Sequence, residues 1–349
     1  MSTTSPLPQN ARVAVVGAGA MGAGIAQVAA VAGHPVLLFD NRAQAAQQAV
    51  EGLRGQLGKL ADKGKLSAAA AQAAGQRLQA ASHLHDLAPA ALVIEAIVEN
   101  LPAKQTLFAE LEALVSAQCI FASNTSSLSI TAIASRLQHP ERLAGLHFFN
   151  PAPVMALVEV VSGLATSPQL ADTLHATASA WGKTAVHAKS TPGFIVNRVA
   201  RPFYAEALRL LAEGAADCAT LDAVLREAGG FRMGPFALMD LIGLDVNLAV
   251  TRSVWNAYFN DPRYQPSLLQ QELVDAGFLG QKSGRGFYDY RAGAAKPQPH
   301  TEPHMEPHHA LSARVVLYID TPAAQALAER LHAAGLAFER STASDGRIA

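Results

Sequence analysis

"RVAVVGAGAMGAGIAQVAAVAGHPVLLFD", residues 12–40, decides the fold. Arg12–Val16 is a short, β-branched apolar run with the length of a strand. A glycine-rich turn follows, then an alanine-rich helical stretch to about Ala32, then a second strand over Pro35–Asp40. Strand, helix and strand at this spacing predict parallel strands joined by a right-handed crossover. The fold class is therefore α/β, a doubly wound Rossmann-type domain.

The turn carries Gly17, Gly19 and Gly22 in G-x-G-x-x-G spacing. That pattern is weak alone, but here a strand precedes it, a helix follows, and Asp40 closes the next strand. Gly17 permits the tight turn, Gly19 lets a pyrophosphate approach the backbone, and Gly22 lets helix and strand pack closely. Met21, inside the same turn, joins them as a cofactor-facing position. The helix N-terminus offers unpaired N–H groups to phosphate. Asp40 can accept from both ribose hydroxyls and repels a 2′-phosphate, which favours NAD over NADP; Arg42 weakens that preference. The alternative is a glycine-tolerant turn with no ligand.

Beyond this unit, residues 43–81 are rich in Ala, Gln, Leu and Lys and show no strand signal. They predict a helical pair turning near Asp62–Lys65, an insertion long for a plain crossover. Further strands are expected at Ala91–Ile97, Cys119–Ser123, Leu143–Phe149, Leu157–Val161 and Thr184–Ala188. The first domain thus spans residues 10–189. After Lys189 the character changes. Thr191 and Pro192 predict a helix start, and Ile195, Val199, Phe203, Ala207 and Leu211 recur every four residues. Gly214 is its expected stop. Pro202 within the run predicts a kink. No strand is expected before Tyr290, so residues 190–290 read as an all-helical domain. Residues 291–310 form a Pro- and His-rich linker, and residues 311–349 hold about one β-α-β unit, too little to close a core.

The 349 residues are half hydrophobic, with a formal net charge of −1. No bulk basic surface argues for nucleic acid or an anionic membrane as partner. No apolar run reaches the roughly 18 residues a membrane span needs. The start lacks the pattern of a secretory signal, and the two cysteines suit a reducing, cytoplasmic setting. His300, His304, His308 and His309 in the linker could chelate a metal, but its prolines forbid a helical ligand face. No metal site is expected.

"GLHFFNPAPVMALVEVV", residues 145–161, places an imidazole and a carboxylate in two apolar strands. The midpoint between His147 and Glu159 is Pro153, in a segment poor in strand formers. An antiparallel pair looping there sets the two side chains opposite each other on one face. A buried carboxylate fixes an imidazole's tautomer and suits it to general-base work. Spacing alone equally allows a core histidine satisfied by a structural glutamate.

With these motifs placed, the chain resembles the NAD-dependent L-3-hydroxyacyl-CoA dehydrogenase family over about residues 10–290. The resemblance rests on "VAVVGAGAMGAGIA", "IEAIVENLPAK", "SNTSSLSI", "GLHFFNPAPVMALVEVV", "TPGFIVNR", "MGPFALMDLIGLD" and "KSGRGFYDY". It implies the doubly wound domain with its helical insertion, followed by an all-α dimerisation domain, and hence a homodimer. It implies His147 as catalytic base, Glu159 as its partner, and Ser126 and Asn197 around the substrate's 3-oxygen and thioester. It puts Asn150 in the active site, and Glu99, Lys104 and Asn124 near the nicotinamide half of NAD. The substrate is then an acyl-CoA whose phosphates could meet Lys59, Lys63 and Lys65. The wording looks most like the phenylacetate-catabolic branch, whose members act on 3-hydroxyadipyl-CoA. An ω-carboxylate needs a cationic partner, for which Arg232 or Arg201 could serve. A 3-hydroxybutyryl-CoA dehydrogenase, another two-domain Rossmann oxidoreductase and a non-catalytic nucleotide binder are the rival readings.

Overall fold

The structure is a computed structural model that describes residues 5–301, 315–317 and 322–341. The opening unit forms as the sequence predicts: strand β1 over Val13–Val16, helix α1 over Ala20–Val31 and strand β2 over Val36–Phe39. The insertion is the expected helical pair, α2 over Ala45–Asp62 and α3 over Ala68–Arg77, the latter capped by Ser67. It does not end in helix, however. Leu78–Ala80 forms a third strand, β3, parallel to β2. Three residues without β-branching carry no strand signal, and β3 exists because β2 offers it an open ladder.

The sheet continues with β4 (Leu92–Glu95), helix α4 (Leu101–Leu114), β5 (Ile120–Ser123) and helix α5 (Ile130–Ala134). Then come β6 (Leu143–Phe148), β7 (Leu157–Ser162), helix α6 (Pro168–Ala180) and β8 (Thr184–Lys189). The eight strands lie in the order β3-β2-β1-β4-β5-β6-β7-β8. All pairs are parallel except β6 with β7. The order reverses between β1 and β4, and crevices for ligands open there, at the carboxyl ends of the strands. One face of the sheet packs on α1, α2, α3 and α6 through residues such as Ile25, Leu53 and Leu174. The other packs on α4 and α5 through Phe108, Phe121 and Ile133. Each fully buried Leu or Phe contributes about 2 kcal/mol of transfer free energy.

The helices that follow are α7 (Val196–Ala212), α8 (Cys218–Glu227), α9 (Pro235–Ile242), α10 (Leu244–Ala257) and α11 (Leu268–Asp275). They enclose a smaller core around Tyr204, Phe236, Met239 and Leu244. Gly214, at φ +70°, stops α7 as expected. Its start differs from expectation. Thr191 is not the N-cap, because Gly193 (φ +72°) and Phe194 (φ +47°) are left-handed and hold the chain in a turn until Ile195. Helix α7 also runs through Pro202 without interruption.

A compact unit ends at Pro297. The residues beyond it contain strand β9 (Val315–Leu317), helix α12 (Pro322–Ala333) and strand β10 (Phe338–Arg340), with the strands parallel. Residues 302–310, with most of the histidine-rich stretch and its chelating option, lie outside the described residues.

Candidate active site

The three glycines of the β1–α1 turn are glycine for different reasons. Gly17 sits at φ +106°, and a Cβ there would stand 2.5 Å from Ala96 O, beyond the end of β4. A Cβ on Gly22 would lie 1.7 Å from Gly17 O. Gly19 meets nothing within 4 Å, so the fold itself does not require it. Its bareness leaves the N-terminus of α1 open, and no side chain caps that terminus. This is the geometry a pyrophosphate needs. Met21 is half-buried in the first turn of α1 and packs against the core.

Asp40 follows β2. Its Oδ2 accepts from Ala18 N at 2.7 Å, which ties it to the glycine turn. Arg42 forms a two-pronged pair with it through Nε (2.9 Å) and Nη2 (3.0 Å). That pair, helped by backbone N–H donors, holds the Asp40 carboxyl down to about 2. Arg42 is therefore engaged by Asp40 rather than free to receive a 2′-phosphate.

A second group of charges lies under the ends of β4 and β5. Glu95 is sealed from solvent, and it accepts from Lys104 Nζ (2.5 Å), Ser123 Oγ (2.6 Å) and Ile97 N (2.7 Å). Lys104 is 1% exposed, and its ammonium also lies 3.3 Å from Glu99 Oε2. Lys104, expected near the nicotinamide half of the cofactor, is paired here with two carboxylates. A buried ammonium needs paired charge, and Glu95 and Glu99 supply it. Glu99 Oε1 gathers Thr125 Oγ1 (2.6 Å), Ser127 Oγ (2.9 Å) and the N–H groups of Ser126 (3.0 Å) and Ser127 (3.1 Å). Burial pushes the Glu99 carboxyl up, but Lys104 and the two hydroxyls win and hold it below its ordinary value. Glu95 is not legible in the sequence as part of the site. In "VIEAI" it reads as a charge at a strand end, with nothing to reveal its burial.

The third group is the His147–Glu159 pair. The two residues are directly opposed in the β6–β7 register, as the spacing predicts. His147 Nδ1 lies 2.7 Å from Glu159 Oε2. Glu159 is 0% exposed and His147 5%. The other carboxylate oxygen, Oε1, accepts from Ile195 N (2.9 Å) and Val196 N (3.0 Å), the first donors of α7. Burial works against the Glu159 charge, but the imidazole and those N–H groups hold its carboxyl below its ordinary value. The rings of Phe149 and Phe194 flank His147 at centroid distances of 4.5 and 5.7 Å. Nδ1 makes the only side-chain hydrogen bond of His147 among the described residues, and Nε2 is left for a ligand.

Around this pair, Asn124 Oδ1 accepts from Phe148 N at 2.8 Å and joins the ends of β5 and β6. Asn197, in the first turn of α7, donates from Nδ2 to Ser126 O at 3.3 Å. Ser126 and Asn197 are thus brought together. Asn150 is exposed and lines a cavity of about 1000 Å³ on the α1 side, together with Gly19, Lys59, Lys63 and Lys65. Lys183 also lines it, but donates to Ala152 O and Met155 O. Arg232 is exposed and forms no ion pair among the described residues. Among those residues, no cluster of three or more potential metal ligands occurs, and no helix is long and apolar enough to cross a membrane.

Comparison with known proteins supplies a family. The model for the NAD binding domain of 3-hydroxyacyl-CoA dehydrogenase matches residues 12–191, and the model for the C-terminal domain of the same enzymes matches residues 193–290. The 3-hydroxyadipyl-CoA dehydrogenase of Escherichia coli is 54% identical over 280 residues, covering 80% of this chain and 59% of the relative. A probable 3-hydroxybutyryl-CoA dehydrogenase of Bacillus subtilis is 44% identical, covering 80% of this chain and 97% of that protein. A crystal structure of 3-hydroxybutyryl-CoA dehydrogenase from Escherichia coli superimposes with a TM-score of 0.81 at 53% identity, covering 82% of this chain and 61% of that one. The chain thus spans about three fifths of the Escherichia coli relative and of the Escherichia coli crystal-structure chain.

Proposed function

Because the chain belongs to the 3-hydroxyacyl-CoA dehydrogenase family, we propose that it oxidises the 3-hydroxyl of an (S)-3-hydroxyacyl-CoA to the 3-oxo thioester, with NAD as cofactor. The observation that carries this reading is the sealed His147–Glu159 pair at 2.7 Å, in the same sheet as the open glycine turn.

NAD, when bound, supplies the hydride acceptor. Gly17, Gly19, Met21 and Gly22 with the α1 N-terminus would hold its pyrophosphate, and Asp40 its ribose hydroxyls. Glu99 and Asn124 would serve the nicotinamide half, with Lys104 keeping Glu99 ionised from beneath. His147 Nε2 takes the proton of the 3-hydroxyl as C3 gives up its hydride. Glu159 fixes the ring so that Nε2 is the free nitrogen, and supports the imidazolium that forms. Ser126 and Asn197 orient the 3-oxygen and thioester. Orientation and exclusion of water by Phe149 and Phe194 supply the rest.

The lysine-lined cavity supports CoA as the carrier, because Lys59, Lys63 and Lys65 present ammonium groups where phosphates could lie. The likeness to a 3-hydroxyadipyl-CoA dehydrogenase supports an ω-carboxylated substrate, as in phenylacetate breakdown. The Bacillus subtilis relative supports 3-hydroxybutyryl-CoA as the second reading. Exposed apolar side chains on the helical domain, among them Val199, Phe231, Leu241 and Val246, support a homodimer. The unpaired Cys119 and Cys218 suit the cytoplasm. The test is NADH formation from 3-hydroxybutyryl-, 3-hydroxyhexanoyl- and 3-hydroxyadipyl-CoA. Zero turnover with all three and NAD overturns the reading.

A further inference from the structure

Arg201 is 4% exposed, yet no carboxylate stands within ion-pair distance of it among the described residues. Lys104, a cation buried as deeply, has Glu95 and Glu99 as explicit counterparts. Arg201 instead donates Nε to Asn197 O (3.0 Å) and Nη1 to Asn247 O (3.2 Å) and Thr251 Oγ1 (2.9 Å). Its guanidinium lies 4.9 Å from the centroid of the Tyr204 ring. These partners are neutral. They orient the fork but do not balance its charge, and Nη2 makes no hydrogen bond among the described residues. Burial pulls the Arg201 pKa below its ordinary value, though a guanidinium stays protonated at any physiological pH. An uncompensated buried cation held by neutral groups is costly to fold around.

Its position suggests what the charge is for. Arg201 lies four residues after Asn197 on α7, on the same face and about 6 Å along the axis. Asn197 hydrogen-bonds Ser126, so this face leads away from the proposed reacting centre. In a six-carbon 3-hydroxy diacid thioester the terminal carboxyl lies three C–C bonds beyond C3, about 4 Å when extended. The two lengths match to within the reach of one side chain. Arg232, the other candidate, is exposed and has no comparable framework.

We infer that Arg201 is the specificity-determining receptor for a terminal carboxylate on the acyl chain, with Nη2 as the donor that meets it. Asn247 and Thr251 hold the fork in place, and Tyr204 covers its face. The inference rests on the dehydrogenase reading above, and the experiment separates the two. The wild-type protein is assayed for NADH formation with 3-hydroxyadipyl-CoA and with 3-hydroxyhexanoyl-CoA, which has the same length but ends in a methyl group. Turnover of neither defeats the dehydrogenase reading. Turnover of both with equal kcat/KM defeats only the carboxylate receptor. The expected result is a preference of about tenfold to hundredfold for the diacid thioester, the range for a charge-assisted contact in a dry site. Arg201→Met should shrink that ratio to near one, and Arg201→Lys, which keeps the charge but loses the fork, should leave an intermediate ratio. A ratio unchanged in both variants overturns the inference. Arg232→Ala serves as the comparator and should leave the ratio as in the wild type. If Arg201→Met does not fold, the Arg201→Lys ratio and the wild-type preference still decide the matter.

Discussion

Two parts of the molecule solve the same problem differently. In the sheet domain, Glu159 is a buried carboxylate receiving two backbone N–H groups of α7, with an imidazole on its other oxygen. In the helical domain, Asp222 receives Phe236 N and Ala237 N at the start of α9, with the Tyr288 hydroxyl beside them. Asp240 likewise takes Phe287 N, Tyr288 N and the Tyr290 hydroxyl. All three are acids satisfied by helix-end or loop donors. Only Glu159 has a titratable partner that can also face a ligand. The pKa directions follow the same divide. Burial raises Asp240, which has no ion-pair partner among the described residues, and Glu159 ends below its ordinary value. A carboxylate ringed by neutral donors ties backbone together, and one that shares its charge with an imidazole also fixes how that ring is held.

Breaking the imidazole side should have the largest effect. His147→Gln should lower kcat by about 10²–10⁴-fold with the fold retained. NADH formation and circular dichroism measure the two halves of that statement, and activity within tenfold of wild type would remove His147 from the chemistry.

Glu159→Gln should come next. The amide keeps most of the volume but loses the charge, and activity should fall by about a hundredfold as the ring loses its fixed tautomer. This variant also has a pH signature. The folded carboxyl of Glu159 lies below the ordinary 4.5, so its stabilisation is present above that value and is lost as pH falls through the folded pKa. Urea midpoints of the wild type should therefore drop on acidification below about pH 4.5, and the drop should be shallower in Glu159→Gln.

Asp240→Asn should have the smallest effect on turnover and a clear one on stability, a loss of about 1–3 kcal/mol with activity per folded molecule retained. Its pH signature has the opposite sign. Asp240 lies above the ordinary 3.8 when folded, so its charge costs stability at neutral pH, and that cost is relieved as pH falls through the folded pKa. Urea midpoints of Asp240→Asn should lack that relief on acidification. If both variants responded to pH alike, the contrast between the two regions would fail.

Much of this arrangement is legible in the sequence. The glycine spacing, the β1–α1–β2 unit and the opposed His147 and Glu159 follow from residue periodicity, because strand period and turn chemistry are local properties. What the sequence hides is tertiary in origin. β3 is three residues that become a strand only because β2 has an open edge. The burial of Glu95 and Lys104 depends on partners far along the chain, Ser123 on β5 among them, that the local sequence does not announce. The start of α7 is masked because Thr191 and Pro192 are good cap residues, and the left-handed pair at Gly193 and Phe194 overrides them. Arg201 is legible as a cation but not as a buried one.

That left-handed pair bears on how the protein can be altered. By delaying α7 it lands the first N–H groups of the helix on the oxygen of Glu159 that the imidazole does not use. A Cβ at Gly193 would stand 2.9 Å from Arg198 N and would be strained at φ +72°. Replacing this glycine should disturb the hydrogen bonds that seat Glu159, and through them the hold on the His147 ring. Screens for inactive variants should therefore recover lesions in this turn that spare nucleotide binding, and designs that regraft the helical domain onto a different sheet inherit the turn as part of the chemistry.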